Sequence, residues 1–182
     1  MATLPADWNE FIGLLNAEKV RYLVVGAHAL AANGRPRATQ DLDIFIERTK
    51  ANIARLASAL RAFGFAELAD ECGRFEQPER MATLGKPPLR IDIMNHIDGV
   101  SFRDAWRGRL VAQFGDHRVG FLGLEQLRTN KLAAGRAKDL ADIAIMEEMA
   151  DATGTTQAPS KRRPTTPAAK ARKKGRGRPP SH

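Results

Sequence analysis

Two acidic strand patterns constrain this chain more than any other feature. The first lies in residues 24–46, which run Val24-Val25-Gly26-Ala27-His28-Ala29-Leu30, then a polar loop, then Asp41-Leu42-Asp43-Ile44-Phe45-Ile46. The second is Leu89-Arg90-Ile91-Asp92-Ile93. Side chains on a strand alternate faces, so Asp41 and Asp43 project together while Leu42 and Ile44 turn to a core on the other side. If the two strands are neighbours, Asp92 joins them and three carboxylates meet. Like charges raise one another's pKa and cost stability, so such a cluster calls for a cation. Magnesium, or manganese in its place, takes hard oxygen ligands and keeps positions open for substrate phosphates. Two such ions can position an attacking hydroxyl and steady a leaving phosphate. Gly26 breaks the preceding strand beside a helix start, where backbone N–H groups offer a place for phosphate.

The remaining elements follow from periodicity and punctuation. Trp8, Phe11, Ile12, Leu14 and Leu15 recur at helical spacing, and their aromatic rings read as core. Residues 20–25 read as the first, central strand, and residues 27–32 as a short small-residue helix. His28 reads as a capping or surface histidine. Thr49 caps a helix that runs to Phe63 and ends at Gly64. Residues 65–68 suggest a short strand. Residues 80–84 and 89–93 pair as a hairpin across Gly85-Lys86-Pro87-Pro88, which lacks the glycines of a phosphate-binding loop. A short helix over 101–107 is followed by a hairpin or edge strands over 109–121, and two helices begin near Gly123 and Arg136. In the last helix, Leu140, Ile143, Ala144 and residues 146–149 form the apolar face. Lys138 and Asp142, four apart, read as a surface ion pair.

Charge is distributed unevenly. The formal net charge is +8, yet residues 1–150 carry 20 basic and 20 acidic side chains, so the excess lies entirely in residues 151–182. That segment is rich in Ala, Thr, Pro, Lys and Arg and has no Leu, Ile, Val or aromatic residue. It cannot repay the entropy of ordering, which predicts a domain over 1–150 and a disordered basic tail over 151–182. Any argument from basicity to nucleic acid therefore belongs to the tail alone. A single cysteine, Cys72, excludes an internal disulfide framework and fits a reducing compartment. No apolar run approaches a membrane span, and the N-terminus lacks the basic region of a secretory signal, so the expected place is the bacterial cytoplasm.

Gly26, Asp41-Leu42-Asp43 and the later Asp92 together resemble the nucleotidyltransferase superfamily, with its polymerase-β-like fold. Val25-Gly26-Ala27-His28-Ala29, the run Arg37-x-Thr39-x-Asp41-Leu42-Asp43, Gly123-Leu124-Glu125 through Lys131, and Arg136-x-Lys138-Asp139-x-x-Asp142 resemble its small bacterial branch related to AbiEii toxins. The resemblance covers roughly residues 5–150 and implies an α/β (α+β) fold with a mixed central sheet flanked by helices. It implies that Asp41, Asp43 and Asp92 are catalytic and hold the metal. Gly26, Ala27, Arg37, Thr39, Lys131, Arg136, Lys138 and Asp139 would bind or support a nucleoside triphosphate. The reaction implied is transfer of a nucleoside monophosphate to a hydroxyl of RNA or tRNA, protein or a small molecule, by a toxin held in check by an antitoxin partner. The family usually carries Gly-Gly or Gly-Ser at the turn, and Gly26-Ala27 departs from it by lacking the hydroxyl. In the tail, Arg176-Gly177-Arg178-Pro179 resembles an AT-hook, which implies weak binding in the minor groove of AT-rich DNA and an association with the nucleoid.

Two other readings compete with this one. A protein of the same fold would bind nucleotide or a partner without transferring anything. A DNA-associated regulatory protein would act through its tail. A metal-dependent nuclease would have no use for the Gly26 turn, and a Rossmann dinucleotide site would need spaced glycines that do not follow Gly26.

Overall fold

The structure is a computed structural model that describes residues 4–36 and 38–152. Its elements in chain order are α1 (Ala6–Ala17), β1 (Tyr22–Val24), α2 (Gly26–Ala32), β2 (Asp41–Ile46), α3 (Lys50–Ala62), α4 (Ala66–Asp70), a 3₁₀ turn (Cys72–Glu76), β3 (Met81–Leu84), β4 (Arg90–Met94), α5 (Phe102–Arg107), β5 (Leu110–Phe114), β6 (His117–Phe121), α6 (Leu124–Ala134) and α7 (Ala137–Ala152). The architecture is a mixed α+β fold. Six strands form one sheet in the order β3-β4-β2-β1-β6-β5, flanked by helices.

β2 pairs antiparallel with β1 and parallel with β4. Such an inner strand must be apolar where it is covered, and Leu42, Ile44 and Ile46 are fully buried. Each buried aliphatic side chain contributes about 1.5–3 kcal/mol, which offsets the cost of carrying two acids on the same strand. Trp8, Phe11, Ile12 and Leu15 of α1 are buried in the same core, as their spacing predicts.

Buried asparagines hold the ends of the sheet. Thr49 caps α3 by accepting from the Asn52 backbone N–H. The Asn52 side chain accepts from Arg21 N–H at 2.7 Å and donates to the carbonyls of Arg21 and Glu47. Asn95, just after β4, donates to the carbonyls of Phe75 and Gln77 and accepts from Arg80 N–H. Peptide groups that leave a sheet need partners, and these two amides supply them.

Several expectations change. Residues 65–68 lie at the start of a helical turn, α4, where Phe65 and Leu68 pack against the core. His28 is neither a cap nor a surface residue. It is half-buried, edge-on to Trp8 and Phe114 with ring centroids 5.3 and 5.2 Å away, and its burial lowers its pKa. On α7, Ile143 and Met146 are buried, but Leu140 is exposed and Ala144 also faces outward. Asp142 is buried instead of forming a surface pair with Lys138, because it closes on Lys131 of α6. The apolar stripe of α7 is thus narrower than its composition suggests, and part of its inner face is ionic. α7 continues through Ala152. Arg37, in the loop before β2, and the tail from residue 153 on, with Arg176, Gly177, Arg178 and Pro179, lie outside the described residues.

Candidate active site

The parallel pairing of β2 with β4 sets Asp41 opposite Arg90 and Asp43 opposite Asp92. Residues at matched register share a face, so the three carboxylates line one patch of the sheet, as their alternation predicts. They form the floor of a cleft of about 400 Å³. Gly26, Ala27 and Thr39 line it on the approach to β2, and Lys131, Arg136, Lys138 and Asp139 line the wall formed by α6 and α7. Met81, Met94, His96 and Asp98 extend it beyond the sheet edge. The structure therefore gathers in one cleft every candidate site residue among the described ones.

Gly26 is needed here for two reasons. Its φ of +61° lies in the left-handed region, which side chains with a Cβ rarely adopt. An added Cβ would also fall 2.1 Å from Asp43 Oδ2. The turn brings backbone against the carboxylate with nothing between them.

The charges on the floor do not balance. Arg90 Nη2 donates to Asp41 Oδ2 at 2.8 Å and lies 3.0 Å from Asp92 Oδ2. The Thr83 hydroxyl donates to the other oxygen of Asp92 at 2.7 Å. Asp43 makes no side-chain hydrogen bond or ion pair among the described residues. Burial raises its pKa to about 6 from an ordinary 3.8, Asp92 and Asp41 push the same way, and Lys138 and Arg90 oppose them. An oxygen-only set with one unpaired, destabilised anion suits a hard divalent cation. As the side chains stand, no group of three His, Cys, Asp or Glu residues among the described ones is arranged to hold a metal ion. Arg90 and Thr83 already occupy oxygens of Asp41 and Asp92.

The wall is different. Lys131 Nζ is buried and donates to Asp139 Oδ1 at 3.2 Å and Asp142 Oδ2 at 2.5 Å. Arg136 Nε donates to Asp139 Oδ2 at 2.5 Å. Burial works to raise the pKa of Asp139, but hydrogen bonds from Arg136 and Lys131 outweigh it and hold the carboxyl below its usual range. Gly135, in the left-handed region, ends α6 and lets α7 fold back so that these groups meet. Lys131 is therefore spent on the brace between two helices, whereas Lys138 is exposed at the cleft and close enough to act on Asp43.

Sequence reasoning overlooked Arg90 and Thr83. The signal for both was the register itself: Arg90 lies two residues before Asp92, and Thr83 is set opposite Asp92 on the hairpin partner strand.

No family model and no curated protein matches the chain. Among solved structures, the chain is similar to a candidate nucleotidyltransferase from Thermotoga maritima, with 16% identity over 78% of this chain and 91% of that one and a TM-score of 0.48.

Proposed function

We propose that this chain is a metal-dependent nucleotidyltransferase that moves a nucleoside monophosphate from a nucleoside triphosphate to an acceptor hydroxyl. The observation that carries the reading is the in-register juxtaposition of Asp43 with Asp92, with Asp41 on the same face, in a cleft that also holds Lys138 and Arg136.

Asp41, Asp43 and Asp92 would hold magnesium or manganese, which, when bound, supplies charge neutralisation for the phosphates and lowers the pKa of the attacking hydroxyl. Gly26 and Ala27 keep the backbone close beside Asp43, so that a triphosphate can approach without a side chain in its way. Lys138 offers a cation to its phosphates, with Arg136, paired through Nε to Asp139, beside it. Asp92, held by Thr83 and Arg90, is oriented to accept the proton of the acceptor hydroxyl. The hydroxyl oxygen bonds to the α-phosphorus as the bond to the pyrophosphate oxygen breaks, and pyrophosphate leaves. The protein contributes position and electrostatics.

The acceptor classes are a hydroxyl of RNA or tRNA, of a protein or of a small molecule. Sequence motifs, not geometry, support the further proposals of a toxin with an antitoxin partner and of weak DNA binding through the tail. Among the described residues no helix is long and apolar enough to cross a membrane. One observation favours a second reading, a nucleotide-binding domain that does not transfer: Arg90 already bridges two of the three carboxylates.

The deciding experiment incubates the protein with each α-labelled nucleoside triphosphate, magnesium, total RNA and total protein, beside an Asp41→Asn, Asp43→Asn variant. Label carried to one class of macromolecule by the wild type alone supports transfer and names the acceptor class. Nucleotide binding with no transfer to any pool, small hydroxyl compounds included, supports the second reading.

A further inference from the structure

We propose that Arg90 is the resident counter-cation of the carboxylate floor, a positioning residue that holds Asp41 and Asp92 in the nucleotide-free protein and competes with a divalent cation for them. The inference rests on the metal-dependent reading of the cleft.

Register puts Arg90 directly opposite Asp41 and two residues from Asp92, so all three side chains share a face. A single nitrogen, Nη2, serves both carboxylates, at 2.8 and 3.0 Å. With Thr83 on its other oxygen, each oxygen of Asp92 has one partner. Arg90 does this at a cost, because its Nε is buried without a hydrogen-bond partner. A buried N–H left unmade costs roughly 1–3 kcal/mol, so the bridge is weaker than its two short contacts suggest. The side chain is also 37% exposed, which gives the guanidinium a way out into the cleft.

Charge accounts for the rest. One guanidinium cannot neutralise three carboxylates, and Asp43 is the one left over. A divalent cation suits the cluster better, but it meets Arg90 at Asp41 Oδ2 and Asp92 Oδ2. The bare protein therefore binds divalent cations weakly. Nucleotide phosphates change this, because they add oxygen ligands for the cation and a new acceptor for the released guanidinium.

The test measures Mn²⁺ affinity by electron paramagnetic resonance in the absence of nucleotide, on the whole chain and its Arg90→Gln and Arg90→Lys variants, with circular dichroism to confirm folding. Arg90→Gln is expected to bind Mn²⁺ at least about tenfold more tightly than the wild type. Arg90→Lys is expected to stay near the wild type, since one ammonium can stand where Nη2 stands. A purely structural Arg90 gives the opposite sign: Arg90→Gln loosens the carboxylates and binding weakens, which overturns the proposal. Equal affinity in all three proteins overturns the proposal and leaves the metal site standing. No Mn²⁺ binding by any of them overturns both. If Arg90→Gln does not fold, guanidinium NMR on the wild type decides. The Arg90 signals should move to the free-arginine position as magnesium saturates, and signals unmoved at saturation overturn the proposal.

Discussion

The floor and the wall of the cleft are built from the same residue types and come out opposite in character. On the wall, Lys131 and Arg136 meet Asp139 and Asp142, and among the described residues each of these four charges is paired. Lys131 is buried, and its ammonium is hydrogen-bonded to both acids. On the floor, Arg90 contacts two of three acids, Asp41 and Asp92, and Asp43 has no side-chain partner among the described residues. A balanced buried cluster is a structural brace, because its charges are satisfied by one another. An unbalanced one in an open cleft is poised for something from outside. The lesson concerns Lys131. A lysine in a cleft beside acids invites a phosphate-binding reading, and under the proposed function the exposed Lys138, rather than the paired Lys131, would offer that charge.

The largest expected effect breaks the floor. Asp41→Asn with Asp43→Asn should reduce label transfer by about 10³-fold or more while the fold survives, as circular dichroism would record. The wall should respond the other way. Lys131→Met strands two buried carboxylates, and breaking such a cluster costs about 3–5 kcal/mol. Thermal melting should drop by roughly 10 °C or more, since 1 kcal/mol shifts Tm by about 2–4 °C at this size. A Lys131→Met protein that melted normally would show that the wall is not a brace.

Asp43→Asn sharpens the contrast through pH. The carboxyl has a folded pKa of about 6 against an ordinary 3.8. A raised carboxyl favours the fold while it is protonated, and that contribution is lost as pH rises through the folded value. Without divalent ions, the wild type should therefore lose about 3 kcal/mol between pH 3 and pH 8 from this group, by the linkage of about 1.36 kcal/mol per pKa unit. The variant should not lose it, and should be the more stable protein at pH 8 in denaturant melts. Gly26→Ala comes next. Its left-handed φ and the clash with Asp43 Oδ2 together should cost about 1–3 kcal/mol and disturb nucleotide binding. Lys138→Met is the mildest. Stability should stay within about 0.5 kcal/mol, while the KM for nucleotide rises roughly tenfold.

The floor was legible in the sequence because strand alternation is a short-range rule. Asp41-Leu42-Asp43 fixes which residues face together, and one assumption, that β2 and β4 are neighbours, brings in Asp92. The wall was only half legible. Its residues could be named, but pairing between Lys131 and Asp142 depends on the angle at which α7 folds back from Gly135, and no local pattern encodes that angle. His28 shows a similar gap. In the sequence it stands near a turn glycine and looks exposed, yet α1 and β5 bring Trp8 and Phe114 edge-on against it and half-bury it. Arg90 was hidden for another reason. Arginines next to acids are common on surfaces, and only the register shows that this one bridges two strands.

The most direct test of the central claim, that the unbalanced floor takes a cation together with a nucleotide, is calorimetric titration of nucleoside triphosphate into the wild type and Asp43→Asn at pH 8, with and without magnesium. Binding by the wild type that requires magnesium, and is weakened at least about tenfold in Asp43→Asn, is the expected result. Nucleotide binding of equal strength with or without magnesium, and unchanged in Asp43→Asn, would contradict it.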